Sequence, residues 1–353
     1  MKKHVIGEGS YGCVIQPALP CHTNKEKYIN TTNKNVVSKI FKDDSKDYQS
    51  EKAIGHYFSQ IPGAEKFFVF PYESCYLQPK HIKDLTSIQS CTDININVKN
   101  IPQVILPYQN YDLYGFFRYY KNKYNQFNFP VTQWILLMDN LFLGVREMIR
   151  HQLIHQDIYM SNIMYNQKEK LLKFIDFGLS VSFQNVFTFQ NKRLTYIYHC
   201  YPPEYMFAYF LKNNVKKNLQ FNDVVNTWKN EYICKDPSIG SVDCYHYYNE
   251  YISEPIVERS LKRMYDDYLL NPDTWLQRIS KNTVLIDLYA LGMLCIDLHV
   301  HLDFSVLSPK LQMEYKQLIL MLMHPDDHQR SGFDKAYAHY TFLKKQIIQK
   351  RSF

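Results

Sequence analysis

The sequence lacks three features that would have pointed away from an ordinary soluble globular protein. No CxxC pair occurs among its eight cysteines, and the first glycine motif begins at residue 7, so we expect no signal peptide and free thiols in a reducing compartment. Its most apolar long stretch, residues 284–300, is interrupted by Asp287, Asp297 and His299, which favours a buried helix over a membrane span.

Strong charge of one sign is the third absence. The 41 basic and 34 acidic residues are spread along the chain and give a formal net charge of +7. This balance favours weak attraction to anions over dedicated nucleic-acid binding. We therefore expect no specific nucleic-acid partner, no membrane association, a cytoplasmic location and, by default, a monomer.

What is present is enough to build a large core. The chain has 353 residues, 46% of them hydrophobic and 21% charged, which predicts one large domain or two modest lobes.

Residues 3–42 have the pattern of strands separated by turns, and residues 45–61 have apolar residues at helical spacing. Another strand is predicted at 104–108, and a long amphipathic helix after Pro130 begins a mostly helical remainder. Residues 205–281 lack one clear period, which leaves an inserted subdomain or loosely ordered helices as alternatives.

The stretch IGEGSYGCVIQP, near the start of the chain, allows two interpretations. Its glycines, Gly7, Gly9 and Gly12, could form a phosphate-binding loop or only a hairpin tip, because glycines serve any tight turn. Val14 completes the pattern GxGxxGxV between two predicted strands, and Lys39 follows in the next strand. A lysine in an apolar strand can also simply point outward. The context nevertheless favours the phosphate-binding interpretation.

Glu51 lies on the helix that follows this strand and is the predicted partner of Lys39. A lysine that bridges nucleotide phosphates must be held in place. A carboxylate one helix away can hold it without occupying the phosphate site.

The most specific stretch is LIHQDIYMSNIMY followed by LLKFIDFGLS. It contains Asp157, then Asn162 five residues later, then Asp176 at the start of a DFG triplet. Two carboxylates and an amide at this spacing can place one oxygen near an incoming hydroxyl and two ligands around Mg²⁺, which prefers hard oxygen donors. A chance occurrence of HxDxxxxN, a short hairpin and a strand ending in DFG is improbable.

With these motifs the sequence resembles the eukaryotic-type protein kinases over nearly its whole length. The resemblance implies a two-lobed α+β fold, with a small β-rich lobe at 1–107 and a mostly helical lobe at 108–353 that carries an insertion at about 205–281. It implies ATP and Mg²⁺ as cofactors and a protein as substrate. The nucleotide-binding residues that it implies are Gly7, Glu8, Gly9, Ser10, Tyr11, Gly12, Val14, Lys39, Glu51, Leu106 and Tyr108.

The resemblance also assigns catalytic roles. Asp157 would be the catalytic base, assisted by Lys39 and Asn162, and the magnesium ligands would be Asn162 and Asp176. Leu106 would lie near the gatekeeper position, and Tyr108 in the hinge that meets adenine.

Three later residues favour a protein kinase over other phosphotransferases that share the core motifs. Glu204 follows two prolines where the family has its APE motif, Asp287 would tie down the catalytic loop, and Arg330 would pair with Glu204. Each could instead be a solvated surface charge. Their order along the chain argues against that for all three.

Two departures leave rival functions open. Gln156 replaces the arginine of the HRD motif, and Tyr159 stands where serine/threonine kinases usually place a lysine. A pseudokinase acting as a binding scaffold and a small-molecule or lipid phosphotransferase are the alternatives. The residues after Asp157 do not resemble the tyrosine-kinase loop, so Ser/Thr is the expected acceptor. The compact chain and its biased composition also resemble kinases encoded by large DNA viruses.

Overall fold

A computed structural model describes the greater part of the chain. The described residues are 4–9, 12–20, 35–43, 46–78, 88, 91, 94–95, 97–125, 128–187, 201–213, 219–229, 244–271, 275, 277 and 279–351. They form two compact units. The strand-rich unit comprises Met1–Asp112 and Met164–Ser180, and the helical unit comprises Leu113–Ile163 and Val181–Phe353. The predicted boundary at residue 107 and the insertion at 205–281 stay predictions.

The strand-rich unit is built on a five-stranded antiparallel sheet with the order β1-β2-β3-β5-β4. Its strands are β1 His4–Gly9, β2 Gly12–Gln16, β3 Val36–Phe41, β4 Glu73–Leu77 and β5 Ile101–Pro107. Because successive side chains point to opposite faces, Ile40 and Phe41 of β3 enter different clusters. Apolar side chains therefore cover both faces of this sheet.

Helix α1, Lys46–Phe58, contributes Tyr48 to the cluster that contains Phe41. A second sheet of the same unit has the order β10-β9-β6 and consists of β6 Tyr111–Asp112, β9 Ile163–Asn166 and β10 Leu171–Phe174. Phe58 of α1 stacks on Phe68, with ring centroids 4.3 Å apart, and meets Phe177 edge-on at 5.2 Å. These rings hold the segment after β10 against α1.

The expectation of free thiols is wrong for three cysteines of this unit. Cys13 of β2 forms a disulfide with Cys91, and Cys75 is also disulfide-bonded. The fold brings the Cα atoms of Cys13 and Cys91 to 6.1 Å although 78 positions separate them in sequence. Spacing along the chain could not reveal this proximity. Cys295, in the helical unit, is a buried free thiol.

The helical unit contains most of the α-helices among the described residues. They are α2 Leu113–Tyr124, α3 Val131–Arg150, α4 Pro203–Lys212, α5 Phe221–Thr227, α6 Cys244–Tyr251, α7 Glu254–Leu270, α8 Leu285–Asp297, α9 Pro309–Met323 and α10 Phe333–Arg351. Four short strands complete the unit: β7 Phe129–Pro130 pairs with β12 Leu302–Asp303, and β8 Leu153–Ile154 pairs with β11 Val181–Ser182. Every residue of α8 is buried, which confirms the buried helix predicted at 284–300. Among the described residues, no helix has the length and hydropathy that a membrane crossing needs.

Candidate active site

The glycine motif forms a β-hairpin of the strand-rich unit. Gly7 pairs with Val14, Glu8 with Cys13 and Gly9 with Gly12. The predicted loop residues Ser10 and Tyr11 lie outside the described residues.

Gly12 and Gly7 differ in the space that their surroundings leave for a Cβ atom. Gly12 has φ of +152°, and a Cβ there would lie 1.7 Å from the carbonyl oxygen of Ile40. A Cβ on Gly7 would meet no atom within 4 Å. Packing of the sheet alone therefore requires glycine at position 12, whereas the space beside Gly7 is open.

Lys39 of β3 lies between two carboxylates of the same unit. Its Nζ is 2.5 Å from Oε2 of Glu51 on α1 and 2.8 Å from Oδ1 of Asp176. The side chain of Glu51 is buried, whereas that of Asp176 is 32% exposed. The sequence predicted the contact of Lys39 with Glu51, and the contact with Asp176 is additional.

Asp176 has an unusual backbone that fixes this arrangement. Its φ is +63°, in the left-handed region, and its Oδ1 accepts a hydrogen bond from the backbone N–H of Gly178 at 3.4 Å. A non-glycine residue in this region costs about 1 to 2 kcal/mol, so the surroundings must compensate. Phe177, packed against α1, follows directly.

Burial and charge act against each other on the Lys39 and Glu51 pair. Burial alone would lower the pKa of Lys39, but the carboxylates of Asp176 and Glu51 outweigh it and raise that pKa above its usual range. Burial raises the pKa of Glu51 to about 7, and Lys39 opposes this rise. Lys39 therefore stays a cation near neutral pH.

The remaining predicted nucleotide contacts of this unit lie on and just after β5. Leu106 is partly buried against the cluster of Phe41, Tyr48 and Val104. The backbone N–H of Tyr108 donates to the carbonyl oxygen of Asn35 at 2.8 Å.

Asp157 and Asn162 are in direct contact within the helical unit. The Asn162 Nδ2 donates to Asp157 Oδ2 at 2.8 Å and to the Asp157 carbonyl oxygen at 3.0 Å. Both side chains are largely buried. The five-residue spacing seen in the sequence thus closes a loop in which the amide orients the carboxylate.

Asp287 of α8 holds the backbone immediately before Asp157. Its carboxylate accepts hydrogen bonds from the N–H of His155 at 2.7 Å and from that of Gln156 at 3.1 Å. This confirms the predicted contact between Asp287 and the loop 155–162, which contains Asp157. Burial raises the pKa of Asp287 to about 7, and the two backbone donors oppose that rise.

Two tyrosines that sequence reasoning did not single out also contact this loop. The hydroxyl of Tyr201 donates to the carbonyl oxygen of Gln156 at 2.9 Å, and the Gln156 Nε2 donates to the hydroxyl of Tyr205. With 30 tyrosines in the chain, composition gave no signal for these two.

Glu204 and Arg330 form the ion pair that the resemblance predicted, so the prediction of this contact is confirmed. Arg330 Nη1 donates to Glu204 Oε1 at 2.8 Å and Nη2 to Oε2 at 3.1 Å. Its Nε donates to the carbonyl oxygen of His324, and the guanidinium lies 4.9 Å from the ring centroid of Tyr289. Burial raises the pKa of Glu204, and Arg330 opposes this.

A second arginine of the helical unit was not anticipated. Arg263 of α7 contacts both carboxylates of the HPDDHQRSG stretch, with Nη2 2.8 Å from Asp326 Oδ1 and 2.5 Å from Asp327 Oδ1. Arg330 belongs to the same stretch. Arg263 therefore connects a helix within the predicted insertion to the loop that carries Arg330.

Comparison with known proteins agrees with this arrangement. Residues 80–223 match the family model of the protein kinase domain. A non-specific serine/threonine protein kinase of Drosophila melanogaster is 28% identical over 106 residues, which cover 30% of this chain and 14% of that relative. The match thus spans a small part of the relative's length. Residues 80–223 are therefore similar to a protein kinase domain, and the described residues combine a strand-rich unit with a mostly helical one, as the α+β prediction requires.

Proposed function

We propose that the chain is an ATP-dependent protein kinase that transfers the γ-phosphoryl group to serine or threonine hydroxyls of protein substrates. The observation that carries the proposal is Lys39, a cation held at 2.5 Å and 2.8 Å by Glu51 and Asp176. A lysine needed only for the sheet would point outward to solvent. This one is 14% exposed and is oriented by two carboxylates from separate segments.

The strand-rich unit supplies groups suited to phosphates and to a metal ion. Lys39 would contact the α- and β-phosphates, and the backbone of Gly7, Gly9 and Gly12 would cover them. Asp176 offers a partly exposed carboxylate, the hard oxygen ligand that Mg²⁺ prefers when phosphates complete its coordination. When bound, Mg²⁺ neutralises charge that develops on the transferring phosphoryl group.

The helical unit supplies a proton acceptor. Asp157 would accept the proton of the substrate hydroxyl, and its orientation is set by the amide of Asn162. The Asn162 nitrogen donates both of these hydrogen bonds, so the amide oxygen is suited to bind Mg²⁺. Catalysis would rest mainly on positioning and charge neutralisation.

Serine or threonine as acceptor has two supports. The Drosophila relative bears that specificity in its name, and the loop after Asp157 does not resemble that of tyrosine kinases. Tyr159 cannot supply the cation that a lysine would give there. That neutral residue and Gln156 favour a second candidate, a pseudokinase that binds a partner without transferring phosphate.

Transfer of labelled phosphate from ATP to a generic protein substrate tests the proposal. Wild type should label the protein, and Asp157→Asn should lose about 10²- to 10⁴-fold in turnover, which is roughly 3 to 5 kcal/mol of barrier. The matched control is Asp334→Asn, the same chemical change at an exposed site in the first turn of α10. It should leave turnover unchanged.

Each other outcome has a distinct meaning. Wild type that labels no protein above background would contradict the proposal in favour of the scaffold. Labelling that is equal in wild type and Asp157→Asn, with contaminating kinases excluded, would contradict the role proposed for Asp157. Consumption of ATP that labels small molecules or lipids and never protein would favour the other phosphotransferases.

A further inference from the structure

We propose that Tyr201 and Tyr205 are positioning residues that hold the peptide between Gln156 and Asp157 in its working orientation. The proposal rests on the proposed function, because it concerns the orientation of the catalytic base. It extends that function by assigning a role to two side chains outside the predicted site.

Gln156 adopts a backbone conformation that requires support. Its φ is +63°, in the left-handed region that costs a non-glycine residue about 1 to 2 kcal/mol. The residue is buried and directly precedes Asp157. Such a conformation persists only where neighbouring groups over-determine it.

Three groups supply that support from two sides. Asp287 binds the N–H of Gln156 at 3.1 Å, and Tyr201 donates to its carbonyl oxygen at 2.9 Å. That carbonyl belongs to the same peptide plane as the N–H of Asp157. The Tyr201 hydroxyl therefore directly restrains rotation of the peptide that carries the proposed base. The side-chain amide of Gln156 then donates to Tyr205.

The two hydroxyls are themselves rigidly held. Both tyrosines are nearly inaccessible to solvent, and their ring centroids lie 4.4 Å apart. Tyr205 also packs against Phe187 at 5.3 Å and follows Glu204, which Arg330 fixes by two hydrogen bonds. Side chains with few rotatable bonds and fixed rings lose little entropy when they hold a partner.

All members of this network other than Asp287 are neutral. The hydrogen bonds of Gln156 with Tyr201 and Tyr205 therefore involve no charged side chain. Neutral hydrogen bonds do not depend on salt, so this part of the support should be insensitive to ionic strength.

Hydroxyl deletion tests the proposal. Tyr201→Phe and Tyr205→Phe keep the packed rings and remove only the groups that contact Gln156. We expect kcat to fall about tenfold or more in each, because small misplacements near the reacting groups can cost up to 10²-fold, while KM for ATP stays within about twofold. The matched control, Tyr209→Phe on the same helix, should leave kcat unchanged.

A double-mutant cycle separates positioning from packing. Gln156→Met keeps the length of the side chain but removes its amide, so adding Tyr205→Phe to it should cost little further kcat. Additive losses in the cycle would contradict action of Tyr205 through Gln156. Hydrogen exchange of the backbone amides at 155–158 should rise in Tyr201→Phe, and this readout does not depend on turnover.

The outcomes also distinguish the two proposals. An active wild type whose tyrosine variants keep full kcat and unchanged exchange at 155–158 would overturn this proposal and leave the proposed function intact. A wild type that transfers no phosphate would overturn both.

Discussion

Arg330 binds Glu204 through Nη1 and Nη2, the two terminal guanidinium nitrogens, at 2.8 Å and 3.1 Å, and the arginine side chain is fully inaccessible to solvent. The two residues are 126 positions apart in sequence. A buried pair of this kind is costly to break, because removal of one partner leaves an uncompensated charge in a medium of low polarity.

Arg330→Met should therefore lower the free energy of unfolding by about 3 to 5 kcal/mol. Arg150→Met is the matched control, since Arg150 is 67% exposed and its contact with Glu147 is a surface pair worth about 0 to 1 kcal/mol. Urea unfolding of both variants measures the difference. Equal losses in the two variants would show that the buried pair contributes no more than a surface one.

Asp287 should make stability depend on pH. Its pKa is about 7 in the folded chain and near 3.8 when unfolded, so the folded state binds this proton more tightly. The stabilisation is complete below the unfolded pKa and is lost as pH rises through about 7. We expect the stability advantage of wild type over Asp287→Asn to shrink between about pH 4 and pH 7 and to level off at higher pH.

Urea unfolding of wild type and Asp287→Asn at several pH values checks this. A constant difference for Asp287→Asn across that range would mean that the carboxyl is ionised throughout.

Substitution by alanine should destabilise the protein much more at Gly12 than at Gly7. Gly12→Ala places a Cβ 1.7 Å from the Ile40 carbonyl oxygen at a φ of +152°, and we expect a loss above about 2 kcal/mol in unfolding free energy. Gly7→Ala meets no atom within 4 Å and should cost less than about 1 kcal/mol. Thermal or urea unfolding of the two variants measures the difference. Similar losses of unfolding free energy would contradict the packing argument.

The Cys13 and Cys91 disulfide should stabilise the strand-rich unit. A chain with Cys13→Ala and Cys91→Ala should lose about 2 to 4 kcal/mol under non-reducing conditions, because the unfolded chain regains the freedom of a long closed loop. Alkylation of the unreduced, denatured wild type, followed by mass spectrometry, should find neither cysteine labelled. Recovery of both as free thiols would contradict the bond.

Local sequence patterns predicted the elements that carry the site. The strand at Lys39 and the helix at Glu51 follow from apolar spacing. Their contact was predicted because a lysine that binds phosphates must be held in place. Helical spacing did not separate buried from exposed apolar residues in this helix: Phe58 is 1% exposed, whereas the neighbouring Tyr57 is 41% exposed. The roles of the site residues in binding and catalysis stay predictions.

Long-range partners could not be predicted, because nothing local encodes them. Cys13 and Cys91 meet only after the chain folds over the sheet, and Tyr201 contacts Gln156 across 45 positions. Arg263 lies in a stretch without clear periodicity, where helices were one of two alternatives, and its partners were not foreseen. In each case tertiary packing, not propensity, decides the contact.

Arg263 also limits how this chain could be shortened by evolution or by design. It lies within the residues predicted to be an insertion, yet its guanidinium contacts Asp326 and Asp327, whose side chains are almost fully buried. A shortened chain without α7 would keep Asp326 and Asp327 but lose Arg263, the cation that they contact. The two acids lie in the same stretch as Arg330, which binds Glu204. A viable deletion would therefore have to replace those acids at the same time, so the extra helix and the HPDDHQRSG stretch should be inherited together.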